Sequence, residues 1–398
     1  MSESGSRSVV VTAIRTPVGR AKKGMLKDTR PDDLAALVMK EAVARTEGLD
    51  PQDIDDVVMG NAHPEGEAGY NFARQSVYLA GLPNSIAATT VNRFCASGLQ
   101  TIVQACHSVD AGMSEVVLAG GSDCTSRVPM GGHNVKAAVN PRLWQNYRQA
   151  YDSMGQTAEK VARQFGVSRE DQDAFALWSH EKALAARANG KFANHIIPVA
   201  TKVQDEEGKW HDVSVGQDEG PREGTTLEGL AALRTVFAED EAATVTAGNA
   251  SPMNDGAACS VVMSADKAKD LGLKPLASLV QAAVVGVDPD IMGIGPVPAI
   301  RKLLKKTGMS IADIDLIEIN EAFASQSLYC KRELGIADEQ LNVNGGAIAI
   351  GHPLGATGAR IAADVFAEMQ RRKVEHCIIS MCVGGGQGMA ALFRNPNF

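Results

Sequence analysis

Residues 49–61 read LDPQDIDDVVMGN, and residues 309–321 read MSIADIDLIEINE. Both stretches place the triplet Asp-Ile-Asp before an apolar run, which predicts a short buried strand. Two further pairs of segments correspond in the same order: TTVNRFCASG (89–98) with LNVNGGAIAIGHPLG (341–355), and EVVLAGG (115–121) with HCIISMCVGG (376–385). The first of these pairs shares Val-Asn at a strand end, followed by an amphipathic helix. One match could be a coincidence, whereas three in one order predict a duplicated domain.

Strand-like and helix-like segments alternate around these repeats. Before residue 120 the apolar patterns predict strands at Val9–Ile14, Asp56–Met59, Ala87–Val91 and Glu115–Gly120, and helices at Asp32–Arg45, at Phe72–Ala80 and from near Cys95 onward. Such alternation is typical of a layered α/β domain, and it returns after residue 270. Two similar α/β domains that pack together bring their strand-end loops face to face, where ligands bind in this class.

Residues 125–245 differ in character and are interpreted as an insertion. They contain Gly-rich turns, a helical stretch over residues 168–188 and the charged run QDEEGKWHD (204–212). Ser168 followed by Asp171 predicts the start of that helix. The charged run predicts a solvated turn rather than a binding site.

The composition is that of an ordinary globular protein. A length of 398 residues predicts two or three domains, and a formal net charge of −8 disfavours a nucleic-acid partner. The first residues lack the apolar core of a secretory signal, and no apolar run reaches the roughly 18 residues of a membrane span. The seven cysteines are scattered without a Cys-x-x-Cys pair, which predicts free thiols, no metal site and a soluble cytoplasmic protein.

Cys95 follows a predicted strand and opens a predicted helix. A thiol at a helix N-terminus meets the positive end of the helix dipole and unpaired N–H groups, which favour the thiolate. The small residues after it leave room for a bulky acyl group: Ala96, Ser97 and Gly98. Cys95 is therefore a candidate nucleophile, with a structural cysteine as the alternative. Three other cysteines lie in apolar runs and are predicted core thiols: Cys106, Cys259 and Cys377.

The run NGGAIAIGHPLGATG, residues 344–358, is unusually rich in glycine. Glycines at this density favour tight turns and close backbone approach at a strand-to-helix corner. His352 stands between Gly351 and Pro353, away from any apolar helical face. It is a candidate functional residue, and a packed loop histidine is the alternative.

A second glycine-rich turn, SMCVGGGQG (380–388), ends a predicted strand and carries Cys382 and Gly384. Exposed N–H groups in such a turn can form an oxyanion hole. A phosphate-binding loop is the competing interpretation, but it lacks the Lys-Ser/Thr ending of a P-loop. Asn320 also follows a predicted strand, at the repeat position of Asn61, where it could orient a water or a carbonyl or cap a helix.

Five motifs in order resemble the thiolases over essentially the whole chain: VNRFCASG (91–98), TAGNASPMNDGAA (246–258), NEAFA (320–324), GGAIAIGHPLGATG (345–358) and CVGGGQG (382–388). More narrowly, PEGEAGYNFARQ (64–75), RTVFAEDEAATVTAGNASPMNDG (234–256) and MGIGPVP (292–298) resemble bacterial degradative 3-ketoacyl-CoA thiolases, which are acetyl-CoA acyltransferases. Biosynthetic acetoacetyl-CoA enzymes usually carry an AGxGQNPARQ-like run where this chain has EGEAGYNFARQ.

The resemblance implies a thiolase fold, with two duplicated βαβαβαββ domains in a layered α/β/α/β/α arrangement and an inserted loop domain. It implies four segments. Residues 1–124 would form the first part of the N-terminal domain, 125–247 the CoA-binding loop domain, 248–273 the completion of the N-terminal domain, and 274–398 the C-terminal domain.

The resemblance also implies catalytic roles. Cys95 matches the nucleophile that attacks the 3-keto carbon, and His352 the base that takes the thiol proton and helps to hold the oxyanion. Cys382 matches the proton donor to the acetyl-CoA carbanion, and Asn320 the residue that fixes an oxyanion-hole water. The backbone N–H groups of Cys95 and Gly384 match the second oxyanion hole. A nucleophile and a separate acid/base suit a step that moves both an acyl group and a proton.

For coenzyme A, a co-substrate rather than a tightly bound cofactor, family positions map onto Arg222, Ser251, Met292, Ala322 and Phe323. Arg222 would meet the anionic nucleotide end, and Phe323 would border the pantetheine. The chain departs from the family's pattern at three positions. Ser153 replaces a histidine that is frequent near pantetheine, and Ala96 and Ala356 replace residues that are often serine, glycine or cysteine. None of these changes removes a catalytic group.

The implied function is thiolytic cleavage of 3-ketoacyl-CoA in fatty-acid β-oxidation, with biosynthetic condensation of two acetyl-CoA as the alternative. Ketosynthases share the fold, but the cysteine of CVGGG argues against them. A non-catalytic scaffold would be expected to lose Cys95, His352 or Cys382, and all three are present. A redox dithiol of Cys95 and Cys382 is a further possibility. Expected partners are a homodimer or homotetramer and a complex with hydratase and dehydrogenase subunits, without nucleic acid or a transmembrane segment.

Overall fold

The structure of the chain, a computed structural model, describes residues 7–398. Its strands, numbered along the chain, are β1 (Ser8–Arg15), β2 (Gly19–Arg20), β3 (Asp56–Gly60), β4 (Ala87–Val91), β5 (Val116–Cys124), β6 (Val199–Gln204), β7 (Trp210–Val215), β8 (Asn254–Ser264), β9 (Ser278–Gly286), β10 (Leu316–Ile319), β11 (His376–Val383) and β12 (Gln387–Arg394).

The helices are α1 (Pro31–Ala44), α2 (Phe72–Leu79), α3 (Ser97–Asp110), α4 (Val135–Ala138), α5 (Pro141–Asn146), α6 (Met154–Phe165), α7 (Arg169–Ala188), α8 (Leu227–Ala231), α9 (Ala265–Asp270), α10 (Pro296–Thr307), α11 (Ala324–Leu334) and α12 (Leu354–Arg372). Short 3-10 turns lie at Pro51–Asp53, Gly66–Ala68, Phe94–Ala96, Arg148–Tyr151, Pro289–Ile294 and Ile311–Asp313.

The elements predicted before residue 120 are confirmed, with differences at their ends. Helix α1 begins at Pro31, whose fixed φ suits the first turn of a helix. The Ser168 hydroxyl accepts from the N–H of Asp171 and so starts α7. Cys95 lies in the 3-10 turn Phe94–Ala96, which leads directly into α3.

Two sheets repeat one strand order. The first runs β1-β8-β5-β3-β4, with β2 paired to β8, and the second runs β9-β12-β11-β10. In both sheets the equivalent pair, β3 with β5 and β10 with β11, is parallel, and the pairs from there to β1 and to β9 are antiparallel. The duplication expected from the sequence is therefore present in the strand topology.

The second sheet lacks a regular counterpart of β4, so the expected strand end at Val343-Asn344 is wrong. Leu341 forms only an isolated bridge with Ile317, and Asn342 has a φ of 43°, in the left-handed region that breaks an extended strand. The Asn342 side chain replaces the missing pairing. Its Oδ1 accepts from the N–H of Ile319 at 2.9 Å, and its Nδ2 donates to the carbonyl of Ile319 at 2.9 Å.

Three apolar clusters pack five layers against one another. The first cluster joins α1 and α2 to the outer face of the first sheet. The second contains α3 and α12 between the inner faces of both sheets. The third joins α10 and α11 to the outer face of the second sheet. This α/β/α/β/α sandwich follows from strands whose residues alternate between two buried faces.

The chain leaves the first sheet after β5 and returns to it at β8. The residues between form α4–α8 and the hairpin of β6 and β7, whose charged turn at Asp205–Lys209 is solvated as predicted. A buried ion-pair cluster ties this region to the sheets, since the Arg15 guanidinium contacts Asp218 and Asp364, both at 2.7 Å. Within residues 7–398 no helix has the length and apolar character to cross a membrane.

Candidate active site

A cavity of about 290 Å³ opens where strand-end loops of the two sheets meet the inserted region. Its walls are Cys95, Thr125, Met130, Ser153, Met154, Gly155, Phe237, Ala250, Ser251, Pro252, Met253, Met292, Ala322, Phe323, His352 and Leu354. Most of these side chains are apolar, so the few polar groups act at low dielectric, where their interactions are strong.

Cys95 is buried and lines this cavity. Burial raises the pKa of its thiol to about 11, although the N–H groups of Gly384 and of Cys95 itself act in the opposite direction. The expectation that the helix start makes Cys95 a thiolate is therefore wrong for the resting chain, because desolvation outweighs the helix end. Cys95 needs a base in order to react.

His352 can act as that base. Its backbone N–H donates to Asn254 Oδ1 at 2.8 Å, and its Nδ1 lies 2.7 Å from Thr357 Oγ1. The Thr357 hydroxyl donates its own proton to the carbonyl of Pro353 at 3.0 Å. This assignment makes Nδ1–H of His352 the donor and leaves the lone pair on Nε2.

Burial, assisted by the charge of Arg360, lowers the pKa of His352 to about 3. The imidazole is therefore neutral near neutral pH, and it can accept a proton through Nε2. Sequence reasoning missed both Thr357 and Asn254. Their positions within two of the quoted motifs were the available signal, but nothing in the motif spacing shows which side chain meets the imidazole.

Asn320 faces His352 from the end of β10. Its Nδ2 lies 3.3 Å from Nε2 of His352, and its buried Oδ1 has no hydrogen-bond partner within residues 7–398. The alternative as a helix cap is excluded, because α11 begins only at Ala324. An unpartnered buried acceptor of this kind can hold a water molecule beside the imidazole.

Cys382 lies in β11, and its side chain is fully buried. It packs in one apolar cluster with residues of the cavity wall: Met292, Ala322 and Phe323. Burial raises its pKa well above the ordinary value, and the negative charge of an ionised Cys95 raises it further. Both cysteines are free thiols. The second half thus brings a protonated thiol close to Cys95.

The residues expected to contact coenzyme A lie on the cavity wall, with one exception. The N–H of Ser251 donates to the carbonyl of Ala322 at 2.9 Å, and Phe323 meets Phe237 edge to face at 5.9 Å. Ser153 also lines the cavity, where its hydroxyl caps α6.

Arg222 does not lie on the cavity wall. The residue is exposed outside the cavity, and its backbone N–H donates to His180 Nδ1 at 3.2 Å. The Arg20 side chain is close enough for its charge to lower the pKa of Arg222, although burial is the larger cause. Arg20 is a second cation that sequence reasoning missed.

Comparison with known proteins decides the family. The model of the thiolase N-terminal domain matches residues 8–266, and that of the thiolase C-terminal domain matches residues 273–395.

The chain belongs to the thiolase family.

As a thiolase it is an acyltransferase. It is 48% identical to the 3-ketoacyl-CoA thiolase of Bacillus subtilis (strain 168) over 97% of this chain and 99% of that protein. It is 45% identical to the 3-ketoacyl-CoA thiolase of Escherichia coli O6:H1 over 97% and 98% of the two chains.

Solved structures agree with the thiolase fold. The acetyl-CoA acetyltransferase of Bacillus anthracis superposes with a TM-score of 0.88 at 40% identity, covering 99% of this thiolase and all of that chain. Human mitochondrial 3-ketoacyl-CoA thiolase gives 0.87 at 39% identity, covering 98% of each chain. Among residues 7–398 of this thiolase, no group of His, Cys, Asp and Glu side chains is arranged to hold a metal ion.

Proposed function

We propose that this thiolase cleaves 3-ketoacyl-CoA with coenzyme A, giving acetyl-CoA and an acyl-CoA two carbons shorter. One observation carries the proposal: a neutral thiol, Cys95, and a neutral imidazole, His352, share one apolar cavity, with the second thiol of Cys382 beside it. Two proton carriers and one nucleophile are what the two half-reactions need.

In the first half-reaction, Nε2 of His352 takes the proton of Cys95 as the sulfur attacks the 3-keto carbon. The bond between C2 and C3 then breaks, the acyl group stays on Cys95, and the electron pair goes to C2 of the leaving acetyl-CoA. Cys382 gives its proton to that carbanion and becomes a thiolate. Its high pKa favours this role only when the acceptor is a stronger base, as an enolate is.

In the second half-reaction, coenzyme A enters as a thiol and gives its proton to the Cys382 thiolate. The coenzyme A sulfur attacks the thioester carbonyl, and the bond to Cys95 breaks. Cys95 recovers a proton from the His352 imidazolium. Every group then returns to its starting state, so the reaction is reversible.

Two sets of donors would stabilise the oxyanions. His352 and a water held by Asn320 Oδ1 suit the oxygen formed during C–C cleavage. The N–H groups of Cys95 and Gly384 already point at the Cys95 sulfur. They therefore lie beside the carbonyl oxygen of an acyl group bound to that sulfur, as an oxyanion hole requires.

Coenzyme A would lie along Ser251, Met292, Ala322 and Phe323, with its anionic nucleotide near Arg222 and Arg20. No tightly bound cofactor is part of this reaction. The chain divides accordingly into three parts. Residues 1–124 and 248–273 would form the N-terminal domain, which supplies Cys95, and residues 274–398 the C-terminal domain, which supplies His352 and Cys382. Residues 125–247 would form the loop domain, which supplies Arg222.

The degradative direction is favoured over biosynthetic condensation. Relatives named 3-ketoacyl-CoA thiolase match nearly the whole chain, with 48% identity to that of Bacillus subtilis and 45% to that of Escherichia coli. Apolar side chains that line the same cavity as Cys95, including Met130 and Leu354, suit medium or long acyl chains of fatty-acid β-oxidation.

The test is thiolysis of a series of 3-ketoacyl-CoA substrates whose acyl chains range from about four to about sixteen carbons. We expect turnover to extend to the longer members and to vanish in Cys95→Ala. Cys106→Ala, which removes a buried thiol of the same helix region, is the matched control and should remain active. Activity limited to the four-carbon substrate would favour synthesis, and full activity of Cys95→Ala would overturn the mechanism.

We propose a homodimer as the smallest assembly. Strand β4 lies at the open edge of the first sheet, and an open edge can pair with a second chain. Large apolar side chains are exposed nearby: Tyr70, Tyr78, Leu79 and Phe94. A mass in solution of at least twice 41.9 kDa is expected from light scattering, and a monomer at assay concentration would refute the dimer.

Two finer points rest on the resemblance. A homotetramer or a complex with hydratase and dehydrogenase subunits would build on the dimer. A cytoplasmic location fits seven free thiols, which persist in reducing compartments.

A further inference from the structure

Asp123 occupies the position in the first half that Cys382 occupies in the second. Gly60 pairs with Gly121 in the first sheet, and Ile319 pairs with Ser380 in the second. Asn61 and Asn320 follow Gly60 and Ile319 directly. Asp123 lies two residues after Gly121, just as Cys382 lies two residues after Ser380, so the repeat places a carboxylate where the other half has a thiol.

The Asp123 carboxylate is buried and accepts hydrogen bonds from both halves of the molecule. Oδ1 accepts from Asn61 Nδ2 at 3.0 Å, and Oδ2 accepts from the N–H of Ala62 at 3.0 Å. Oδ2 also accepts from the N–H of Gly355, in the first turn of α12. The positive end of this helix favours a negative charge at that place.

These donors belong to the backbone that encloses Cys95. Ala62, Leu354 and Cys95 form an apolar cluster of their own. Asp123 binds the N–H of Ala62 and the N–H of Gly355, which belongs to the peptide bond following Leu354. One carboxylate thus fixes two neighbours of the Cys95 sulfur, one from each half.

We propose that Asp123 is a positioning residue for acyl transfer, which holds Ala62 and Leu354 in register around the acylated Cys95. This inference rests on the proposed thiolysis through Cys95. Asp123 does not touch the reacting atoms. It acts by keeping the site rigid across the boundary between the halves, where a displacement of about 1 Å can cost a factor of about 100 in rate.

The negative charge of Asp123 does not by itself favour the reaction of Cys95. Burial raises the pKa of Asp123 to about 7, while the N–H groups that it accepts from, and that of His63, lower it. The other charged group that acts on it is Asp255, which raises its pKa. An ionised Asp123 in turn raises the pKa of Cys95. The contribution of Asp123 to the site must therefore come from its hydrogen bonds, because its charge disfavours the Cys95 thiolate.

The test compares Asp123→Asn with Asp255→Asn in the thiolysis assay. Asn at position 123 keeps the shape but places an NH2 group against N–H donors, so we expect kcat to fall by roughly tenfold or more. KM for coenzyme A should stay within about twofold, since no coenzyme A residue is touched. Asp255 is an equally buried carboxylate that accepts from Ser126, and its variant should keep kcat within about twofold.

A second variant covers the case in which Asp123→Asn does not fold. Asn61→Ala removes one donor and leaves both backbone bonds of Asp123, so kcat should fall about threefold with KM for coenzyme A unchanged. Unchanged kcat in Asp123→Asn, or in Asn61→Ala if the first variant is insoluble, would overturn the proposal, as would an equal loss in Asp255→Asn. Wild-type protein inactive in thiolysis would instead overturn the proposed function itself.

Discussion

The two halves of this thiolase share one strand order but use their equivalent residues differently. In the first half the Nδ2 of Asn61 donates to Asp123 Oδ1 and to the carbonyl of Ser122, and Asp123 also accepts from a backbone N–H group. Within residues 7–398 the Oδ1 atoms of Asn61 and Asn320 both lack a hydrogen-bond partner. The halves differ in that the Nδ2 of Asn320 faces His352 and in that Cys382 replaces the carboxylate. The same skeleton thus supports a structural link on one side and reactive groups on the other.

This comparison teaches how chemistry is distributed over a duplicated fold. The repeat fixes the position of a side chain in the fold, whereas the groups that surround it decide whether it links backbone segments or faces the cavity residues. Cys95 is an exception to this division, because it comes from the first half, whereas the base and the proton donor that we propose for it, His352 and Cys382, come from the second. The cavity between the halves is therefore the product of both.

Replacing Cys382 tests the difference between the two halves with the largest expected effect. Cys382→Ala should lower kcat for thiolysis by about 1000-fold, because the leaving carbanion loses its proton donor. Steady-state kinetics measure the loss. Cys377→Ala, in the same strand but away from the cavity, is the control and should remain active. A Cys382→Ala enzyme with near wild-type turnover would show that both halves carry structural residues at this position.

Thr357 in α12 and Thr101 in α3 test whether the two helices have different roles at the site. Thr357→Val removes the acceptor for Nδ1–H of His352, so the wrong tautomer becomes available, and kcat should fall at least about tenfold. Thr357→Ser should restore most of the activity. Thr101 in α3 bonds only backbone carbonyls. Thr101→Val should therefore lose stability in thermal unfolding but keep its kcat, and the reverse pattern would contradict the tautomer argument.

The pH profile tests the burial of the second half's base. Because the pKa of His352 is lowered to about 3, its neutral form persists as pH falls. A histidine with an ordinary pKa of about 6.5 would lose roughly tenfold of its neutral form between pH 7.5 and 5.5. We expect kcat/KM to change by less than about twofold across that range. An acid limb centred near pH 6.5 that disappears in His352→Gln would refute this expectation.

The smallest effect concerns the missing strand. Asn342→Ala removes the side-chain amide that pairs with Ile319, so the free energy of unfolding should fall by about 2 kcal/mol. Chemical denaturation measures the change. Ser214→Ala, at an exposed position of strand β7, should lie within about 0.5 kcal/mol of wild type. Equal effects at the two positions would mean that the second sheet does not depend on this amide.

Most of the fold could be predicted from the sequence because apolar periodicity and the three repeated segments reflect burial directly. The insertion, the caps and the core cysteines followed from the same logic. The failure at Val343-Asn344 had a local cause, since a left-handed Asn342 pairs through its side chain. No periodic pattern encodes that geometry.

The functional residues were accessible to different degrees. Cys95, His352, Cys382 and Asn320 were found through motifs, and the structure brings them together. The protonation state of Cys95 was not predictable, because the helix end was visible in the sequence but the depth of burial was not. Thr357, Asn254 and Asp123 were missed, since each acts through a partner that is distant in sequence or not distinguishable by residue type.

By itself the sequence determined the layered α/β class, the duplication and the residue types that carry the chemistry, because these depend on local periodicity and composition. Tertiary structure alone decided that Cys95 rests as a thiol, that His352 is neutral with its lone pair on Nε2, and that Asp123 joins the two halves. Desolvation and hydrogen bonding depend on what surrounds a group in space. Those surroundings include segments that are distant in sequence, such as Gly355 at Asp123.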